Sequence, residues 1–194
     1  MPRDLRLEAP DLLYHVGSRG VEKRSIFDCA PRDREHFLGL LAKVVRKFGW
    51  QVHAYCLMGN HFHLILDTPN ANLSAGMQSL KGQYAQWFNA VVGREGALFE
   101  RRFWSRVALS EAYVLELSRY VVLNPVRAGL ARRPDEWPWS SYQATIGLDG
   151  RPAFLTVDGV LDLFGGGRSA CVRYAQFVGE AVGLPSSDEP YLVQ

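Results

Sequence analysis

The stretch WQVHAYCLMGNHFHLILD, residues 50–67, decides the fold. Two runs of strand-forming residues, Trp50–Leu57 and His61–Asp67, flank Gly59-Asn60, a pair suited to a tight turn. The pattern predicts a β-hairpin. In its second run, His61 and His63 share one face, with side chains roughly 6–7 Å apart along the strand. Phe62, Leu64 and Leu66 take the other face and can anchor in a core. On a helix the two histidines would diverge by about 200°.

Working outward, Leu12–Ser18 reads as a first strand, closed by Gly17 and Gly20. Asp33 opens a helix whose apolar residues Phe37, Leu40, Leu41, Val44, Val45 and Phe48 recur at three and four, and Gly49 stops it. Asn72 or Ser74 caps a long helix to about Val92, with the stripe Met77, Leu80, Tyr84, Trp87, Phe88 and Val91. Phe103–Leu109 reads as a fourth strand. Ser110 caps a helix through about Leu123, which Asn124-Pro125 breaks. The order strand-helix-strand-strand-helix-strand predicts an α+β sandwich, with the helices on one face of a mainly antiparallel sheet. Residues 1–133 form this domain. Residues 134–194 form an aromatic linker (Trp137, Trp139, Tyr142) and a small C-terminal helical extension. Short helices are expected near Val157–Phe164 and Ser169–Val182, and a loose tail over Pro185–Gln194.

Composition narrows the partners. The 194 residues are 47% hydrophobic and 22% charged, an ordinary soluble balance. No apolar run approaches the roughly 20 residues of a membrane span, and MPRDLRLEAP lacks the apolar stretch of a signal peptide. Cys29, Cys56 and Cys171 are scattered, which favours a reducing cytosol over a disulfide framework or zinc site. Residues 1–133 hold 19 Lys and Arg against 12 Asp and Glu, whereas residues 134–194 hold 3 against 8. The front of the chain is the part that suits a polyanion.

Three features carry chemistry. The paired imidazoles can hold a cation, although two ligands alone do not make a site. Tyr84 is a candidate nucleophile, with Lys81 one turn away at i−3. Helical spacing by itself favours a packing tyrosine there, and Tyr14, Tyr55, Tyr113 and Tyr120 compete on residue type. The third feature is a basic and aromatic set: Arg94, Arg101, Arg102 and Arg106 with Phe99, Phe103 and Trp104. Arginine grips phosphates and rings stack unpaired bases, so the set suits single-stranded or looped nucleic acid.

These clues meet in a known family. Tyr14-His15-Val16 with Arg19-Gly20, Met58 through Leu64, Met77 through Tyr84, Phe88-Asn89 and Gly96 through Phe103 resemble the single-tyrosine HUH transposases. Asn124-Pro125-Val126-Arg127-Ala128-Gly129-Leu130 and Trp137-Pro138-Trp139-Ser140-Ser141-Tyr142 resemble the REP-associated tyrosine transposase branch. The likeness covers about residues 10–145. It implies a ferredoxin-like sheet, with His61 and His63 as ligands of Mg²⁺ or Mn²⁺. Tyr84 would form a 5′-phosphotyrosine bond with single-stranded DNA, leaving a 3′-OH that can later rejoin strands without ATP. The implied substrate is a REP-like hairpin. Arg19, Lys81, Arg101, Arg102, Arg106, Phe103 and Trp104 would bind the DNA, in the cytoplasm at the nucleoid. The family supplies a third ligand, Gln or Asn, about one turn after the tyrosine. Phe88 stands at i+4 from Tyr84, so the choice falls on Asn89 at i+5. The extension would pack Trp137 and Trp139 on the core and cover the surface that shorter relatives use for dimers, favouring a monomer.

Two other readings compete. The displaced third ligand suggests a domesticated DNA-binding protein without cleavage activity. A metal-independent phosphoesterase would need a second HxT/S element or a third histidine in series. Position 65 is Ile, and His15, His36 and His53 stand alone in the sequence.

Overall fold

Four strands form one antiparallel sheet in the computed structural model: β1 (Leu13–Arg19), β2 (Gln51–Leu57), β3 (His61–Asp67) and β4 (Trp104–Val107). Residues 8–30 and 32–184 are described. The strand order is β2-β3-β1-β4. Helix α1 (Asp33–Phe48) joins β1 to β2, and α2 (Leu73–Val92) joins β3 to β4. Each joined pair of strands leaves one strand between its members, which is the expected ferredoxin-like order.

Periodicity explains how the first layer forms. Tyr14 and Val16 of β1 and Phe62, Leu64 and Leu66 of β3 alternate onto one face. They share a core with Phe37, Leu41 and Val44 of α1 and Met77, Leu80 and Tyr84 of α2. Gly49 ends α1 at φ 69°, a left-handed conformation that costs a residue without Cβ little.

The other face is not bare, contrary to the one-sided arrangement expected. Helix α3 (Glu111–Arg127) lies across it and packs Leu117 and Val121 against Ala54, Cys56, Met58 and Ile65. Half of that face is therefore dry and holds the helix, while the histidine end is polar. The Ser110 hydroxyl accepts from the Tyr113 amide and starts α3. Pro125 does not break the helix, which continues to Arg127. A proline so near the end forfeits one backbone bond, and amides beyond it close the terminus: Ala128 donates to the Asn124 carbonyl and Leu130 to that of Pro125.

The rest of the described chain seals an edge. The short helices α4 (Tyr142–Thr145) and α5 (Asp158–Leu161), followed by α6 (Gly167–Gly179), bury Tyr142, Val160, Leu161, Tyr174 and Val178 in the main core. Edge strand β2 is covered by this segment. Leu57 donates to the Trp139 carbonyl, Ser141 to that of Tyr55, and Thr156 to that of Val52. The expected tail over Pro185–Gln194 lies outside the described residues, as does the N-terminal stretch 1–7. Among the described residues no helix is long and apolar enough to cross a membrane.

Candidate functional site

Residues directly opposite one another in paired strands share a face, so the register assembles the polar end of the sheet. Arg19 stands opposite His61, and Gly17 lies between His63 and Trp104. His15 stands opposite Arg106. Gly17 is required here. A Cβ at that position would come 2.3 Å from the Trp104 indole and 2.6 Å from the Phe62 carbonyl oxygen. The indole thus lies across Gly17, edge-on to His15 at 4.5 Å between centroids and to His63 at 5.5 Å.

Each imidazole of the pair is oriented. The turn before β3 is fixed by Ile26 and Phe27, whose amides both donate to the Gly59 carbonyl. Asn60 Nδ2 donates to the Lys23 carbonyl, which turns Asn60 Oδ1 toward His61 Nδ1, 2.6 Å away. An amide oxygen only accepts, so His61 carries its proton on Nδ1 and keeps the Nε2 lone pair. The Asn124 side chain also approaches the His61 ring closely enough to act on it. His63 Nδ1 lies 3.0 Å from His15 Nε2. His15, isolated in sequence, is a third imidazole of this cluster. The β1–β3 pairing brings it there, with ring centroids 5.2 Å apart.

All three rings are neutral near pH 7. Burial pushes His15 down to about 3, helped by the Arg106 charge. Burial pushes His61 down to about 4, helped by Arg19, with the Asn124 side chain opposing. Burial holds His63 well below the usual range, and His15, His61 and Arg19 add to it. Neutral imidazole is the form that binds metals.

Helix α3 supplies the groups that face this cluster. The Tyr120 ring lies 5.8 Å from that of His63 and 6.1 Å from that of His15. Asn124 follows at i+4, on the same helical face. Arg127 places its guanidinium carbon 5.1 Å from the Tyr120 ring centroid.

Tyr84 is not part of the site. It is fully buried on the opposite side of the sheet, packed against Phe27 and Phe37, and its hydroxyl donates to the Ile26 carbonyl at 2.6 Å. Burial pushes its phenol far above the ordinary range, the reverse of what a nucleophile needs. Asn89, also on α2, donates to the Gly96 carbonyl and lies away from the histidines. Both expectations are corrected, because α2 covers the face that β3 turns away from His61 and His63.

The expected DNA contacts divide in the same way. Arg19, Trp104 and Arg106 border the histidines, while Arg101 and Arg102 are exposed on the loop before β4. That loop lies beside β1, with the Glu100 amide donating to the Arg19 carbonyl. Phe103 is buried in the main core and offers no stacking face. Lys81 is buried too. Its Nζ donates to the Arg101 carbonyl at 2.6 Å and lies over the Phe99 ring, so it holds the basic loop from behind.

The donor types present, imidazole and amide oxygen, are ones that divalent cations accept. No group of three or more His, Cys, Asp or Glu side chains suited to a metal occurs among the described residues. Burial holds His61 and His63 neutral, and Asn124 lies near His61 on the α3 face that carries Tyr120. Two imidazoles and an amide oxygen could hold such an ion. The signal for Tyr120 and Asn124 lay in the sequence. A tyrosine followed at i+4 by Asn or Gln occurs at Tyr120–Asn124 and fails at Tyr84, where Phe88 stands.

A family described as "Transposase IS200 like" matches residues 9–122. Among curated proteins, the chain is 24% identical over 110 residues to one named as a REP-associated tyrosine transposase in Haemophilus influenzae, covering 51% of this chain and 62% of that protein. Against the REP-associated tyrosine transposase of Escherichia coli K12 the identity is 22% over 108 residues, covering 55% and 62%. The aligned part is thus about three-fifths of the length of these relatives. A solved structure of a REP-associated tyrosine transposase bound to a REP hairpin shares the fold, with a TM-score of 0.66 at 18% identity. It covers 80% of this chain and 92% of that one.

Proposed function

Because the chain belongs to the IS200-like transposase family, we propose that it nicks and rejoins single-stranded hairpin DNA, with Tyr120 as the nucleophile. His61, His63 and Asn124 would hold Mg²⁺ or Mn²⁺. The observation that carries this reading is the meeting of Tyr120 and Asn124, from one face of α3, with the two histidines of β3 in a single chain. The hairpin substrate rests on likeness to a relative whose structure holds a REP hairpin.

When bound, the cation would polarise the scissile phosphate and offset its charge. The chain's own residues do the rest. Tyr120 Oη attacks phosphorus and loses its proton as the new O–P bond forms. The P–O3′ bond breaks, and the 3′ oxygen leaves as a hydroxyl after gaining a proton. A 3′-OH then reverses the step, so the phosphotyrosine conserves the ester's energy and no ATP is consumed. Arg19 and Arg106 border the pair and can grip flanking phosphates, while Trp104 offers a face to an unpaired base. A DNA substrate would place this work in the cytoplasm, at the nucleoid.

Binding without cleavage is the second reading. Its motive was the displaced third ligand, and Asn124 supplies one at i+4 from Tyr120. The deciding experiment incubates the protein with a labelled single-stranded hairpin and Mn²⁺, then resolves covalent adducts on a denaturing gel. Adducts in the wild type that are absent from Tyr120→Phe support the proposal. Tight hairpin binding with no adduct at any divalent ion supports the second reading.

A further inference from the structure

The mechanism leaves one buried polar group of the site unused. His15 is 3% exposed, its Nε2 lies 3.0 Å from His63 Nδ1, and its own Nδ1 is buried without a hydrogen-bond partner among the described residues. The ring lies edge to edge and nearly coplanar with His63, at an interplanar angle of 23°, and meets the edge-on Trp104 at 83°. An apolar side chain would fill this place without burying an unsatisfied nitrogen. The imidazole therefore calls for a role beyond packing.

We propose that His15 is a positioning residue. It accepts the Nδ1 proton of His63 and so presents the His63 Nε2 lone pair to the divalent cation. A neutral imidazole has one protonated and one free nitrogen. His63 Nδ1 is already engaged by His15, so Nε2 is the nitrogen left for a ligand bond. It carries a lone pair only when the proton sits on Nδ1. In that arrangement His15 Nε2 accepts, and the His15 proton resides on its unpartnered Nδ1. Asn60 performs the matching task for His61, its orientation set by the Lys23 carbonyl. The two ligands are thus aligned by different devices: an amide in the turn for one, and a neighbouring-strand imidazole for the other. Groups that hold the far nitrogen of a metal-binding histidine typically contribute a factor of about 10–100 in metal affinity.

The inference rests on the metal reading above, and its test separates the two. The full-length protein is titrated with Mn²⁺ and free ion is followed by electron paramagnetic resonance, with thermal unfolding recorded in parallel. His15→Leu should weaken Mn²⁺ binding about 10–100-fold. His15→Gln, whose amide oxygen can accept at nearly the same place, should recover most of that loss. In the metal-free wild type, ¹⁵N NMR of labelled histidines should find the His63 proton on Nδ1. A folded His15→Leu protein with wild-type Mn²⁺ affinity would overturn the proposal. So would equal losses in both variants, or a His63 proton on Nε2. Should the wild type bind no Mn²⁺ at all, the metal reading fails, and the NMR measurement still decides what His15 does.

Discussion

Tyr120 and His63 meet across the space between α3 and the sheet, with ring centroids 5.8 Å apart. Tyr84 sits on the far side of the same sheet, its hydroxyl committed to the Ile26 carbonyl. One phenol faces the candidate ligands and the other closes a core.

The two tyrosines should therefore answer differently to loss of a hydroxyl. Tyr120→Phe is expected to abolish covalent DNA adducts in a protein that still folds. Tyr84→Phe is expected to keep the adducts and to destabilise by about 1–3 kcal/mol, because the buried Ile26 carbonyl loses its partner. Denaturant unfolding and adduct gels on both variants check this, and adducts surviving in Tyr120→Phe would restore the search for the nucleophile.

Ligand variants should report on binding as well as turnover. Asn124→Ala and His61→Ala are each expected to weaken Mn²⁺ binding and to lower cleavage. Asn89→Ala should change neither, since Asn89 bonds the Gly96 carbonyl on the opposite face. Calorimetric Mn²⁺ titration of the three proteins gives the comparison.

Acid should unfold the metal-free protein through its buried imidazoles. In the folded state His61 titrates near 4 and His15 near 3, both lowered chiefly by burial, against about 6.5 when unfolded. Below pH 6.5 the unfolded chain binds more protons, so stability falls as pH drops from 6.5 toward 4. Above 6.5 these groups contribute no slope. Melting temperatures recorded from pH 8 to 4 test the window, and His15→Gln should flatten the acid limb. A flat profile across that range would contradict the burial of these rings.

Gly17 marks where the indole of Trp104 needs room. Gly17→Ala would force a methyl toward that ring and toward the Phe62 carbonyl oxygen. The expected cost is about 1–3 kcal/mol, a fall in melting temperature of about 2–4 °C for each kcal/mol in a chain of this size. Single-stranded DNA affinity should drop as well, since Trp104 shifts. Differential scanning calorimetry and fluorescence anisotropy measure the two effects.

The covered edge of β2 removes one strand on which a second copy could pair. Light scattering at micromolar concentration should return a mass near 21.8 kDa. Twice that mass would show that another surface joins two copies.

How much was legible in the sequence depended on how locally each feature is encoded. The hairpin of β2 and β3, and the shared face of His61 and His63, follow from alternation within a few residues. Helices α1 and α2 follow from spacing at three and four. The place of His15 depends on a pairing between strands some forty residues apart, which no local pattern carries. Tyr120 was obscured by a local rule. Reading Asn124-Pro125 as a break sets Asn124 outside the helix, and the i,i+4 relation to Tyr120 then disappears from view. Tyr84 and Tyr120 both sit on amphipathic helices. Only the crossing of α3 to the histidine face distinguishes the packing phenol from the one that faces the histidines.

The amide and carbonyl bonds that residues 139–141 and 155–156 make to β2 bear on where the chain could be shortened. Cutting after residue 133, where the charge changes sign, would strip a seven-residue strand of its cover and lay bare apolar flesh around Tyr55 and Val52. Such a fragment would carry an open, sticky flank ready to recruit foreign strands. Residues 139–141 and 155–156 thereby occupy a flank on which another chain could otherwise add a strand.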